Sequence, residues 1–91
     1  MAQQVLGRID QPLVQGVDYT GEGTAQDPYR IAAHLQFHAA SYALLAQFGV
    51  EVAESRRELT SDGRGGLCDR WLSQDREIWF HVDPLRYWAA T

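Results

Sequence analysis

The chain contains no lysine and no asparagine, and a single cysteine in 91 residues. Each shortage excludes something. Without lysine, neither Gly21-x-Gly23-Thr24 nor Gly63-Arg64-Gly65-Gly66 makes a phosphate-binding loop, which needs Gly-Lys followed by Ser or Thr. Neither fits a dinucleotide fingerprint, which needs a preceding strand and three glycines at fixed spacing, so both read as turns. A lone Cys68 excludes an intrachain disulfide. No stretch approaches the ~20 apolar residues of a membrane span. The longest apolar run, Ala39 to Phe48, is broken by Ser41 and Gln47. Met1-Ala2-Gln3-Gln4 has no basic region followed by an apolar run, so no signal peptide is expected and a cytoplasmic location is the expectation.

What is present is ordinary for one small globular domain spanning 1–91. The hydrophobic fraction is 45%, too high for a disordered chain. The net charge is −4, and both halves are acidic. An acidic balance without a basic block argues against nucleic-acid binding, because neutralising phosphates needs a basic footprint. It suits a basic protein partner. The absence of Lys and Asn fits the codon bias of a GC-rich bacterial genome.

The apolar pattern predicts an α+β fold, with one long helix packed on a small antiparallel sheet of three or four strands. Residues 4–15 read as an N-terminal strand region around Pro12, and 16–28 as a loop punctuated by Gly16, Gly21 and Gly23. The stretch Gly21 to Tyr29 resembles short openings that recur in bacterial secreted and toxin-associated proteins; it is too short to name a family. The helix is expected over 29–48, where Ile31, Leu35, His38, Tyr42 and Leu45 follow a 3.6 period and alanines fill the gaps. Thr24 with Asp27, or Asp27 before Pro28, would start it, and Gly49 would stop it. Residues 50–66 read as a strand from Val50 followed by a turn, with Glu54 to Leu59 equally compatible with helix. Residues 67–83 read as a β-hairpin looped over Ser73–Arg76. Leu85 to Trp88 would add a short turn or helix laying its aromatics on the core.

Candidate chemistry is sparse. His34 and His38, four apart on one helix face, could share a metal with Cys68 and His81, yet the spacing matches no zinc finger or ribbon and HExxH is absent. A His38 on the core face with its ring hydrogen-bonded, beside a half-exposed His34, accounts for the pair more simply, and no metal or cofactor is expected. Cys68 could be a thiol nucleophile with His81 as base if the hairpin register pairs them, but no oxyanion donor or orienting third residue can be named. An inert cysteine is the commoner case.

The hairpin register gives the most specific expectation. With Leu72 opposite Glu77, one face carries Trp71, Ile78, Phe80 and Val82 toward the helix. The other carries Arg70, Glu77, Trp79 and His81, with Asp75 at the loop. That face has the composition of a protein interface, although one tryptophan packed under Arg70 on a solvated face explains it as well. The expectation is a non-catalytic acidic protein-binding module. In its most concrete form it is a small bacterial inhibitor or immunity-type protein that neutralises a basic protein or enzyme. The alternative is a small metal- or thiol-dependent enzyme, or a subunit of one, using His34, His38, Cys68 and His81. A homo-oligomer is compatible with the composition.

Overall fold

Strand-forming residues alternate with polar ones through the last third of the chain, and that alternation builds the main sheet. The computed structural model describes residues 11–61 and 66–89. Strands β1 (Tyr19–Thr20) and β2 (Arg30–Ile31) form a two-stranded antiparallel sheet. Strands β3 (Arg56–Ser61), β4 (Leu67–Ser73) and β5 (Arg76–Val82) form a three-stranded antiparallel sheet in that order. Helix α1 spans Phe37–Gln47 and a short helix α2 spans Pro84–Ala89. The architecture is mixed helix and antiparallel sheet, as expected in class. It differs in having two sheets, and a main helix of 11 residues.

The hairpin keeps the expected register. Trp71 opposes Ile78, Asp69 opposes Phe80, Arg70 opposes Trp79 and Leu72 opposes Glu77. The loop is tighter than the four residues expected. Ser73 pairs with Arg76, leaving a two-residue turn at Gln74 and Asp75, with Gln74 at φ 55°. Two- and four-residue loops about one centre share the same facing pattern, so no side chain changes face. The inner face carries Trp71, Ile78, Phe80 and Val82. These join Phe37, Ala40, Leu44 and Leu45 of α1, with Leu13, Tyr19, Ile31 and Val50 closing the core.

The helix begins eight residues later than the expected Tyr29, at Phe37. Hydrogen bonding of the 29–36 segment explains why. The Tyr29 amide donates to the Trp79 carbonyl at 2.9 Å, and the His81 amide donates to the Tyr29 carbonyl at 2.7 Å. Arg30 and Ile31 pair with β1, and the Ala32 amide donates to the Asp18 carbonyl. Arg86 takes the carbonyls of Ile31, Ala32 and Leu35. Backbone groups committed to these tertiary partners cannot also close helical turns, so pairing overrides propensity. The cap is Gln36, whose side chain accepts from the Ala39 amide. Thr24 and Asp27 instead bond each other within the preceding loop. Gly49 ends the helix at φ 82°, as expected. Of the three helix residues expected to be buried, Leu45 is, Leu35 is half-buried in the turn before α1, and Tyr42 is exposed.

Three other expectations change. Residues 4–10 of the expected strand region 4–15 lie outside the described residues. Within 11–15 there is no strand, because the amide and carbonyl of Leu13 are both taken by the side-chain amide of Gln47. The expected loop 16–28 contains β1, which pairs across to β2. The strand expected from Val50 starts at Arg56, since amides of Val50, Glu54 and Ser55 bond backward to Leu45, Glu51 and Val52 and hold a 3-10 turn over Val52–Glu54.

Gly21 and Gly23 have a packing reason. Both have positive φ, and a Cβ on Gly23 would sit 2.3 Å from the Tyr29 ring. A Cβ on Gly21 would sit 2.3 Å from the Pro28 carbonyl oxygen. This compact loop then lends the Gly23 carbonyl to the Trp79 amide at 2.9 Å, so the chain covers the outer edge of β5 with its own backbone. Among the described residues no helix is long and apolar enough to cross a membrane.

Candidate protein interface

Alternation on β4 and β5 sends residues 68, 70 and 72, with 77, 79 and 81, to the face turned away from α1. There Arg70 is the hub. Its Nε donates to Glu77 Oε2 at 2.8 Å, its Nη2 bonds the same oxygen, and its Nη1 reaches Glu58 Oε1 on β3 at 3.2 Å. The guanidinium carbon lies 5.6 Å from the centre of the Trp79 ring. The Trp79 indole N–H donates to Glu77 Oε1 at 2.9 Å. That bond, and then those from Arg70, hold the Glu77 carboxyl below the usual carboxylate range. Trp79 is therefore half-buried, its ring capped by Arg70 and its polar edge satisfied. Asp75 is exposed in the turn, and His81 is half-buried beside Trp79 on the same face. Exposed Glu22 adjoins Gly23, the residue that pairs with Trp79. All five expected interface residues, Arg70, Asp75, Glu77, Trp79 and His81, thus lie on or beside this face.

The inner face carries a polar cluster that the sequence reading did not single out. Asp69 is 1% exposed and takes a hydrogen bond from the Tyr87 hydroxyl, while its Oδ1 has no partner. Burial pushes the Asp69 carboxyl up from the ordinary range, against the opposing pulls of Arg57, the Tyr87 bond and His38. Burial, then the Asp69 charge, pushes the Tyr87 phenol up. Arg57 lies over the rings of Trp71 and Tyr87, at 5.6 and 5.8 Å. His38 Nε2 contacts the Tyr87 carbonyl at 2.9 Å, and since a carbonyl only accepts, Nε2 carries the hydrogen. The cluster ties α2 to α1 and the sheet through Tyr87. Of the two aromatics expected on the core from this segment, Tyr87 packs there and Trp88 is left exposed, as is Leu85. The available signal was alternation: Asp69 sits between Leu67 and Trp71 on the inward parity, where a carboxylate is out of place.

The histidine pair is not brought to one point. His34 is exposed and contacts Asp18 Oδ1 at 3.2 Å, whereas His38 turns inward to Tyr87. Among the described residues no three His, Cys, Asp or Glu side chains converge as metal ligands. The register does pair Cys68 with His81, and Cys68 is fully buried. Comparison with protein-family profiles, with curated proteins and with solved structures found no match.

Proposed function

We propose that this chain is a non-catalytic protein-binding module that uses the outward face of the β4–β5 hairpin, most concretely a small bacterial inhibitor or immunity-type protein directed at a basic protein. One observation carries the reading: Trp79 is held in a fixed orientation by Glu77 and Arg70 on a face turned away from the core. An aromatic already fixed in place loses little rotamer entropy on binding and offers a large contact area. Glu77, Glu58, Asp75 and Glu22 around it supply negative charge for a basic target, which would speed encounter and favour the correct partner. Arg70 belongs to the same network as the residue that sets the ring, and arginine is itself enriched at interfaces.

The test is capture from a bacterial extract on immobilised wild-type protein beside a Glu77→Arg variant and a Trp79→Ala variant, with folding checked by circular dichroism. The reading expects a basic protein retained by the wild type and lost by both variants. Equal retention of that protein by all three would contradict it.

A further inference from the structure

We propose that Asp69 and Trp71 hold one buried water molecule between them, which accepts from the indole N–H of Trp71 and donates to Asp69 Oδ1. Among the described residues, two buried side-chain polar atoms have no hydrogen-bond partner in the protein, and they are Asp69 Oδ1 and Trp71 Nε1. Buried polar atoms in folded proteins are nearly always satisfied, by the protein or by ordered water. These two are complementary, since a carboxylate oxygen accepts and an indole N–H only donates. They also share a place. Asp69 and Trp71 are two apart on β4, so alternation turns both to the inner face. The Arg57 guanidinium lies over the rings of Trp71 and Tyr87, and the Tyr87 hydroxyl donates to Asp69, so all four side chains border one region.

Chemistry then selects the occupant. The two atoms do not bond each other directly, and both side chains are held where they are. Tyr87 bonds the other oxygen of Asp69, and the Trp71 ring sits between an edge contact with Tyr42 at 5.9 Å and the Arg57 guanidinium at 5.6 Å. A cation would satisfy the carboxyl oxygen but has no lone pair for the indole N–H. An anion would accept from the indole but would face the carboxylate in a buried setting, where like charges repel strongly. The occupant must therefore both donate and accept. Asp69 and Trp71 are 1% and 5% exposed, so an occupant bonded to both atoms is itself enclosed, which excludes a ligand with a tail in solvent. Water meets both demands in the smallest volume, and two polar partners are enough to hold it. A strand rise of about 3.3 Å per residue sets the two Cα atoms about 7 Å apart, a separation that side chains joined through one water can span. The resulting relay runs from Tyr87 of α2 through Asp69 and the water to Trp71. It gives the carboxyl group on the apolar face of β4 a second partner, and it does not depend on the binding role proposed for the opposite face.

The test is a crystal structure of the full wild-type chain at a resolution that shows ordered water, paired with NMR cross-relaxation from water to the indole protons in solution. The crystal should show one density peak within hydrogen-bond distance of both Asp69 Oδ1 and Trp71 Nε1. In solution the Trp71 indole N–H should give a water cross-peak with the sign of a molecule that tumbles with the protein. That cross-peak should persist in Tyr42→Phe, which removes a neighbouring hydroxyl proton able to relay it. Trp71→Phe, which keeps an aromatic ring and drops the N–H, should lose the density peak. A direct bond between Asp69 and Trp71 in the wild-type crystal would overturn the proposal, as would another protein group bonded to either atom in place of water. Loss of the cross-peak in Tyr42→Phe, or a density peak that survives Trp71→Phe unchanged, would overturn it as well.

Discussion

Trp79 donates its indole N–H to Glu77 Oε1 at 2.9 Å, from two residues further along the same strand and on the same face. The bond ties the charge of Glu77 to the orientation of the ring. Because the folded-state pKa of Glu77 is lowered, its stabilising contribution is fully present above the unfolded value and is lost as pH falls through the folded value. Glu77→Gln should therefore melt below the wild type at neutral pH, and the gap should close in acid. Melting curves at a series of pH values check this. A gap that stays constant across the series would show that the carboxylate charge plays no part.

Asp69 should behave in the opposite sense. Its folded-state pKa is raised by burial, so the folded protein binds a proton more readily than the unfolded chain. Its ionised form is a liability at neutral pH that is relieved as pH falls through the folded value toward the unfolded one. Asp69→Asn, which still accepts from Tyr87, should be as stable as the wild type or more so at neutral pH, with the advantage vanishing in acid. Removing the donor is different: Tyr87→Phe should cost about 1–3 kcal/mol, the scale for stripping a hydrogen bond from a buried polar group. Chemical denaturation of both variants separates the two effects. An Asp69→Asn variant that unfolds at neutral pH would contradict the account.

Two glycines offer a matched comparison. Gly16 and Gly23 both have positive φ, at 90° and 80°. A Cβ on Gly16 meets nothing within 4 Å, whereas one on Gly23 strikes the Tyr29 ring. Gly16→Ala should cost about 1–2 kcal/mol for left-handed backbone alone. Gly23→Ala should cost more, and should raise amide exchange at Trp79, whose amide donates to the Gly23 carbonyl. Equal costs would mean that the loop yields without disturbing the edge of β5.

The hairpin was legible in the sequence because its signal is local. Alternation and a turn centred between Gln74 and Asp75 determine which residues face which, and the cross-strand pairs follow. The helix start was not legible, because Tyr29 and Ile31 are held outside the helix by partners some 50 residues away, at Trp79 and His81 for the first and Arg86 for the second. Nothing in the local alanine-rich pattern announces those bonds. The inner polar cluster lies between these cases. Asp69 breaks the apolar parity of its strand visibly, but its tie to Tyr87 and its proximity to Arg57 and His38 arise only when β3, α1 and α2 meet.

The measurement closest to the central claim is calorimetric titration of the captured basic partner with wild-type protein, Trp79→Ala and Trp88→Ala, at two salt concentrations. Trp88 is 55% exposed on α2 and is the rival anchor. The account predicts that Trp79→Ala weakens binding by about 2 kcal/mol or more, roughly 30-fold, while Trp88→Ala changes it little. Wild-type affinity should fall as salt rises. Undiminished affinity of Trp79→Ala, with the loss falling on Trp88→Ala instead, would place the interface on α2 and contradict the account.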